Sequence, residues 1–191
     1  MKSFARALIL STALAAALPA LAVDIKGVKF SDTAQVASQS LQLNGAGVRV
    51  KIIVDVYAAG LYIGKKDKTA AGAISQPGAK SVQIVLLREL TGEDFADAMI
   101  KGFKKNANEA EMAKYQGRLD ELRNLMMSFG SVKKGTTIHM NLIPGTGMRV
   151  LVDGAQKGRD IPGDDFYAAI LKIWLGSNPV DSDLKEALLG A

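Results

Sequence analysis

A chain of 191 residues with no cysteine and a single histidine excludes a disulfide scaffold, a thiol-linked lipid and a Cys/His metal centre. Its formal charge of +5 comes from 24 basic residues scattered among 19 acidic ones. Nucleic-acid binding uses a clustered basic face with interleaved aromatics, and neither is present; nor is there an internal repeat or a low-complexity tract.

Taken in chain order, the first feature is a signal peptide over residues 1–22. Lys2 and Arg6 form a positive start, residues 7–18 are apolar apart from Ser11 and Thr12, and Pro19 breaks the run. Ala20-Leu21-Ala22 then supplies a small-x-small cleavage pattern. The apolar run is shorter than the roughly 20 residues a membrane span needs. The expectation is therefore export to the periplasm, cleavage after Ala22 and no stable membrane anchor afterwards. Removal takes away Lys2 and Arg6 but no acid, which lowers the charge from +5 to +3. The remaining residues, 23–191, suit one domain with a sizeable core.

Residues 24–30 alternate weakly and 40–44 read as a short strand. Asn44-Gly45-Ala46-Gly47 reads as a turn. Residues 48–63 read as one long strand: Val48, Val50, Ile52, Val54 and Val56 share one parity, while Arg49, Lys51, Asp55 and Tyr57 share the other. A further strand with a buried centre is expected over 80–90. Thr91 followed by Glu93 and Asp94 is helix-start chemistry, and Phe95, Met99 and Phe103 follow at helical spacing. After a break at 106–108, Met112, Tyr115, Leu119, Leu122, Met126 and Phe129 continue the stripe of a sheet-packed helix. Strands at 136–142 and 148–153 flank the turn Pro144-Gly145-Thr146-Gly147. Helices are expected at 163–175, presenting Phe166, Ile170, Ile173 and Trp174, and from Asp181-Ser182-Asp183 onwards, burying Leu184 and Leu188. This order predicts the α+β class rather than a wound βαβ sheet.

Most catalytic constellations fail on inventory. His139 lies in a strand with no cysteine, serine elbow or second histidine to join it. The glycine-rich pieces lack the spacing and the following helix of a dinucleotide fingerprint. The acidic pairs Asp164-Asp165 and Asp181/Asp183 sit at helix starts, where capping accounts for them. No catalytic residue, metal site or cofactor is assigned. Arg49 stands out, near the start of a long strand on the face opposite the valines. Composition alone reads it as a residue of a solvated sheet face, which it shares with Lys51 and Asp55.

Three blocks, read together, resemble the chalcone isomerase-like superfamily. They are Leu43-Asn44-Gly45-Ala46-Gly47-Val48-Arg49 running on to Val56-Tyr57-Ala58-Ala59-Gly60-Leu61-Tyr62; Leu87-Arg88-Glu89-Leu90-Thr91-Gly92-Glu93-Asp94-Phe95; and Trp174-Leu175-Gly176 with Pro179-Val180-Asp181-Ser182-Asp183-Leu184-Lys185. The signal peptide and the lack of cysteine fit the exported bacterial branch. The resemblance implies an open-faced β-sandwich, a large antiparallel sheet covered by a layer of helices, with a ligand cleft between them. Members of the superfamily include ring-closing isomerases, fatty-acid binders and non-catalytic helpers.

The resemblance also implies site positions. Of the isomerase's arginine, threonine, tyrosine, asparagine and second threonine, Arg49 falls on the first and Tyr57 near the second. Phe95, Gly102 and Ile173 fall on the others. Each donor lost where charge develops costs about 10²–10³ in rate, so flavanone formation is not expected. An arginine and a tyrosine in an apolar setting are similar to the carboxylate-holding pair of the fatty-acid-binding members, with Phe95 and Ile173 beside the tail. On one ideal strand, however, Arg49 and Tyr57 stand roughly 26 Å apart and meet only if the strand bends. The reading is thus a non-catalytic periplasmic protein binding a small amphipathic carboxylate such as a fatty acid. An isomerase, or an intramolecular lyase of related type, and a protein-partner module without small ligand are the alternatives.

Overall fold

The computed structural model describes residues 22–191; the expected signal segment, up to residue 21, lies outside the described residues. Ala22–Ile25 (β1) and Val28–Ser31 (β2) form a small hairpin, followed by Thr33–Val36 (β3), Gln39–Lys51 (β4) and Val54–Ile63 (β5). After a short helix, Ala70–Ser75 (α1), come Lys80–Leu86 (β6), Leu90–Thr91 (β7) and two long helices, Gly92–Lys104 (α2) and Glu109–Met127 (α3). Ser131–Val132 (β8), Thr137–Ile143 (β9), Gly147–Val152 (β10) and Ala155–Ile161 (β11) complete the strands, and Asp164–Leu175 (α4) and Ser182–Leu188 (α5) close the chain.

Seven strands make one antiparallel sheet in the order β11-β10-β9-β6-β5-β4-β3. One face carries Leu61, Ile63, Val82, Ile84, Ile138 and Met140, all buried beneath the helices α2, α3 and α4. The β1–β2 hairpin covers part of the other face, where Phe30 packs with Leu41, Leu43 and Tyr62. This is the α+β, open-faced sandwich that the sequence predicts. The helix starts also lie as expected. Thr91 caps α2 by accepting from the Asp94 N–H, and Asn108 with Glu111 forms a reciprocal capping box at α3.

The region around β4 differs from the sequence reading in two ways. Residues 48–63 are not one strand: the chain reverses at Ile52-Ile53, so Arg49 pairs with Tyr57 and Lys51 with Val54. Asn44-Gly45-Ala46-Gly47 is not a turn but the middle of β4. Its glycines admit α5. A Cβ on Gly45 would collide with the Ala187 carbonyl, and one on Gly47 with the Ala187 side chain. Asn44 is buried and donates to Leu188 O at 2.7 Å and Asp67 O at 3.0 Å, while its own oxygen accepts from the Asp67 N–H. The strand expected over 80–90 stops at Leu86 and resumes only as the two-residue β7. The sequence reading also lacked α1 and β11. β11 is an edge strand, exposed almost throughout, and so has no apolar alternation to reveal it.

Candidate functional site

The reversal at Ile52-Ile53 brings Arg49 and Tyr57 together. They are direct cross-strand partners on β4 and β5, and a register shift between Arg49 and Val50 marks a bulge beside the pair. The bend that the sequence reading required is therefore a complete hairpin. Tyr57 is 2% exposed, and its hydroxyl accepts from the Trp174 indole N–H at 2.9 Å, inside the core. The Arg49 guanidinium carbon lies 5.6 Å from the Tyr57 ring centroid, within cation–π range.

Burial pushes the Tyr57 phenol above its ordinary pKa; the positive charge of Arg49 and the bond from Trp174 work against that shift without cancelling it. Tyr57 is therefore a neutral phenol at physiological pH, and its own proton has no acceptor among the described residues.

Arg49 is half-buried, and its Nε is buried without a hydrogen-bond partner. Among the described residues it forms no ion pair, and only the Tyr57 hydroxyl approaches its guanidinium. Arg149 shows what a structural arginine on the same sheet looks like: it is locked on Asp160 by two bonds of 2.9 and 2.6 Å. A buried donor left unsatisfied costs about 1–3 kcal/mol, so the Arg49 arrangement is held against a penalty that an incoming acceptor would relieve.

Arg49 opens into a crevice of about 310 Å³ between the end of β4 and α2, lined by Lys51, Asp94, Lys101, Gly102 and Val180. A neighbouring crevice of about 240 Å³ shares Arg49, Lys51, Asp94 and Ala98, and adds Val56, Arg88, Leu90 and Phe95. Both lie where the resemblance places a cleft, at the junction of sheet and helices. The expected residues divide accordingly. Arg49, Phe95 and Gly102 line the crevices. Tyr57 lines neither crevice and lies buried beneath the Arg49 guanidinium. Ile173 is fully buried on α4, and a Cβ on Gly102 would approach its Cγ2 to 2.8 Å, so these two residues set how closely α2 and α4 pack.

A larger crevice of about 550 Å³ lies elsewhere, lined by Asn106, Lys172, Asn178 and Lys185 among others. Most of its polar side chains are engaged within the fold: Lys172 pairs with Glu111 at 2.7 Å, Lys185 donates to Gly176 O, and the Asn106 side chain bonds the backbone of Asn178. The unpartnered arginine, not the size of the opening, distinguishes the Arg49 crevice.

Sequence reasoning placed Lys51 on the face of Arg49 but missed Trp174 as the partner of Tyr57, and missed Arg88 and Lys101 as neighbours of Arg49. It also missed the second bond of Asp181, which caps α5 at Leu184 N (3.0 Å) and accepts from Val50 N–H (2.8 Å). His139 is half-buried with its pKa lowered by burial, and no cluster of potential metal ligands occurs among the described residues.

Comparison with known proteins agrees with the fold. A family model described as chalcone isomerase-like matches residues 22–190. Among solved structures, the fold is similar to a fatty-acid binding protein of Arabidopsis thaliana, with a TM-score of 0.68 and 18% identity, covering 88% of this chain and 96% of that one. No curated protein sequence matches.

Proposed function

The chain belongs to the chalcone isomerase-like family, and on that premise we propose that it is a non-catalytic periplasmic protein whose Arg49 crevice binds a small amphipathic carboxylate such as a fatty acid. The observation that carries this reading is the buried, unpartnered Nε of Arg49. A carboxylate is the acceptor that matches it, since a guanidinium offers parallel donors to two oxygens in a charge-assisted pair. Tyr57 supports the same reading, because its ring orients the guanidinium and its raised pKa keeps it a donor. The structural neighbour is itself named as a fatty-acid binding protein.

Phe95, Val56, Leu90 and Val180 supply the apolar wall for the first carbons of a tail. Deeper in, Trp174, Ile173 and Phe103 fill the space between sheet and helices. A short or medium chain therefore fits the crevice as it stands, while a long one requires α2 and α4 to part. Isomerase chemistry gains no support here, because Phe95, Gly102 and Ile173 offer no side-chain donor where a substrate's developing charge would need one. The amino-terminal pattern supports export, and processing after Ala22 would leave Val23 as the first residue, inside β1.

Titration calorimetry with decanoate tests the site. Binding to the unaltered protein and its loss in a folded Arg49→Ala variant are expected. Equal binding by both would overturn the assignment of the head group to Arg49.

A further inference from the structure

The β4–β5 turn leaves an apolar tip with no partner in the fold. Ile52 is 92% exposed and Ile53 is 88% exposed, with Val50 and Val54 at 41% and 39% behind them. The last pair between β5 and β6 is Tyr57 with Leu86, so residues 50–54 project past the neighbouring strand as a two-stranded finger. At about 3.3 Å per residue the projection is about 10 Å. Ile52 also has φ +62, a left-handed conformation that is an outlier for a β-branched side chain. Glycine is the usual residue at the first position of a two-residue hairpin turn with this sign of φ. Two large aliphatic side chains thus stand in water on a turn that a smaller, polar pair would form with less strain.

Exposed cations flank the finger. Lys51 and Arg88 are exposed beside the finger. Lys133 and Lys134 are exposed on the loop whose Gly135 N–H is bonded to Leu86 O, at the same sheet end. The carboxylates nearby keep their charge but are held within the fold: Asp55 pairs with Lys26 at 3.1 Å, Glu89 accepts from Ser131, Asp94 from Thr91, Asp153 from Thr137 N–H and Asp181 from Val50 N–H. The Arg49 crevice opens next to the finger and shares Lys51 with it.

We propose that the Ile52-Ile53 finger inserts into the surface of an anionic lipid bilayer, with Lys51, Arg88, Lys133 and Lys134 against the headgroups and the Arg49 crevice facing the membrane. The four aliphatic side chains of one finger fall far short of the roughly 800 Å² per partner of a standard protein interface. A bilayer surface needs no shape complement: insertion depends on buried apolar groups and on attraction of cations to anionic lipids. The proposal goes beyond ligand binding, and only its purpose, loading an amphipathic carboxylate from the membrane, rests on that reading.

Co-sedimentation of the purified protein with vesicles of phosphatidylethanolamine and phosphatidylglycerol tests it, with vesicles of phosphatidylcholine for comparison. The protein is expected to pellet with the anionic vesicles, less so at raised salt. Ile52→Ser/Ile53→Ser should weaken the partition by about tenfold or more. Decanoate binding is read separately by calorimetry on the unaltered protein and on Ile52→Ser/Ile53→Ser, so failure of the carboxylate reading and failure of this one are distinguishable. Absence of binding to anionic vesicles would overturn the proposal, as would equal binding by the folded double variant. A dimer seen by sedimentation velocity, lost in the double variant and unaccompanied by vesicle binding, would assign the finger to a second copy instead.

Discussion

Ile52 carries backbone strain at a position where nothing in the fold packs against its side chain. A non-glycine residue held in such a region costs on the order of 1–3 kcal/mol, part of which glycine returns as extra unfolded-state entropy. Ile52→Gly should therefore raise stability by about 1 kcal/mol, read as a higher urea midpoint at unchanged slope; a lower midpoint would show that the isoleucine stabilises the turn. The same residue explains why the site was only half legible in the sequence. Arg49 and Tyr57 stood out by their place in the blocks resembling the family. The reversal joining them is made by Ile-Ile, with none of the glycine, asparagine or aspartate that signals a hairpin. The period-two alternation ran straight through the turn, so a hairpin looked like one strand and a cross-strand pair looked distant.

Among the elements, α5 bears most directly on the site, because it ties the end of the chain to the strand that holds Arg49. It packs on β4 over Gly45 and Gly47, and Asp181 bonds both its own helix, at Leu184 N, and β4, at Val50 N, one residue from Arg49. Losing an N-cap costs about 0.5–2 kcal/mol. Asp181→Ala should destabilise by about 1–2 kcal/mol in urea unfolding, and Asp181→Asn by less, because one amide oxygen can keep one of the two bonds. Equal effects of the two variants would contradict the double role. The helix starts were readable because capping is local chemistry. The close approach of α5 was not. Asn44-Gly45-Ala46-Gly47 has the composition of a turn, and only the tertiary contact with Ala187 shows that these glycines serve a helix crossing a strand. β11 escaped notice for a related reason. Its residues are polar and exposed, and it is a strand because β10 offers it a hydrogen-bonding edge.

For the molecule as a whole, two helices of the covering layer, α3 and α4, are pinned to each other by charge as well as by apolar packing. Asp165, at the start of α4, bonds Lys114 at 2.7 Å and Arg118 at 3.0 Å, both from α3, and the two cations hold its pKa down to about 2. An aspartate is ordinarily near 3.9 when unfolded. A folded pKa below the unfolded one means that the stabilisation is complete above about pH 4 and is lost as pH falls towards about 2. Urea midpoints of the unaltered protein and Asp165→Asn should therefore converge across that window; parallel curves would show that the pair contributes nothing in solution. The overall architecture was readable because alternation, helical stripes and caps agreed with one another along the chain. What a single sequence withheld was pairing at long range, and the Tyr57–Trp174 bond spans 117 positions.

The central claim is that Arg49 holds a carboxylate, and native mass spectrometry of the purified protein tests it most directly. The account predicts an adduct with the mass of a fatty acid on the unaltered protein and none on Arg49→Ala, both chains beginning at Val23. A bare mass for the unaltered protein at gentle settings, or the same adduct on both proteins, would contradict it.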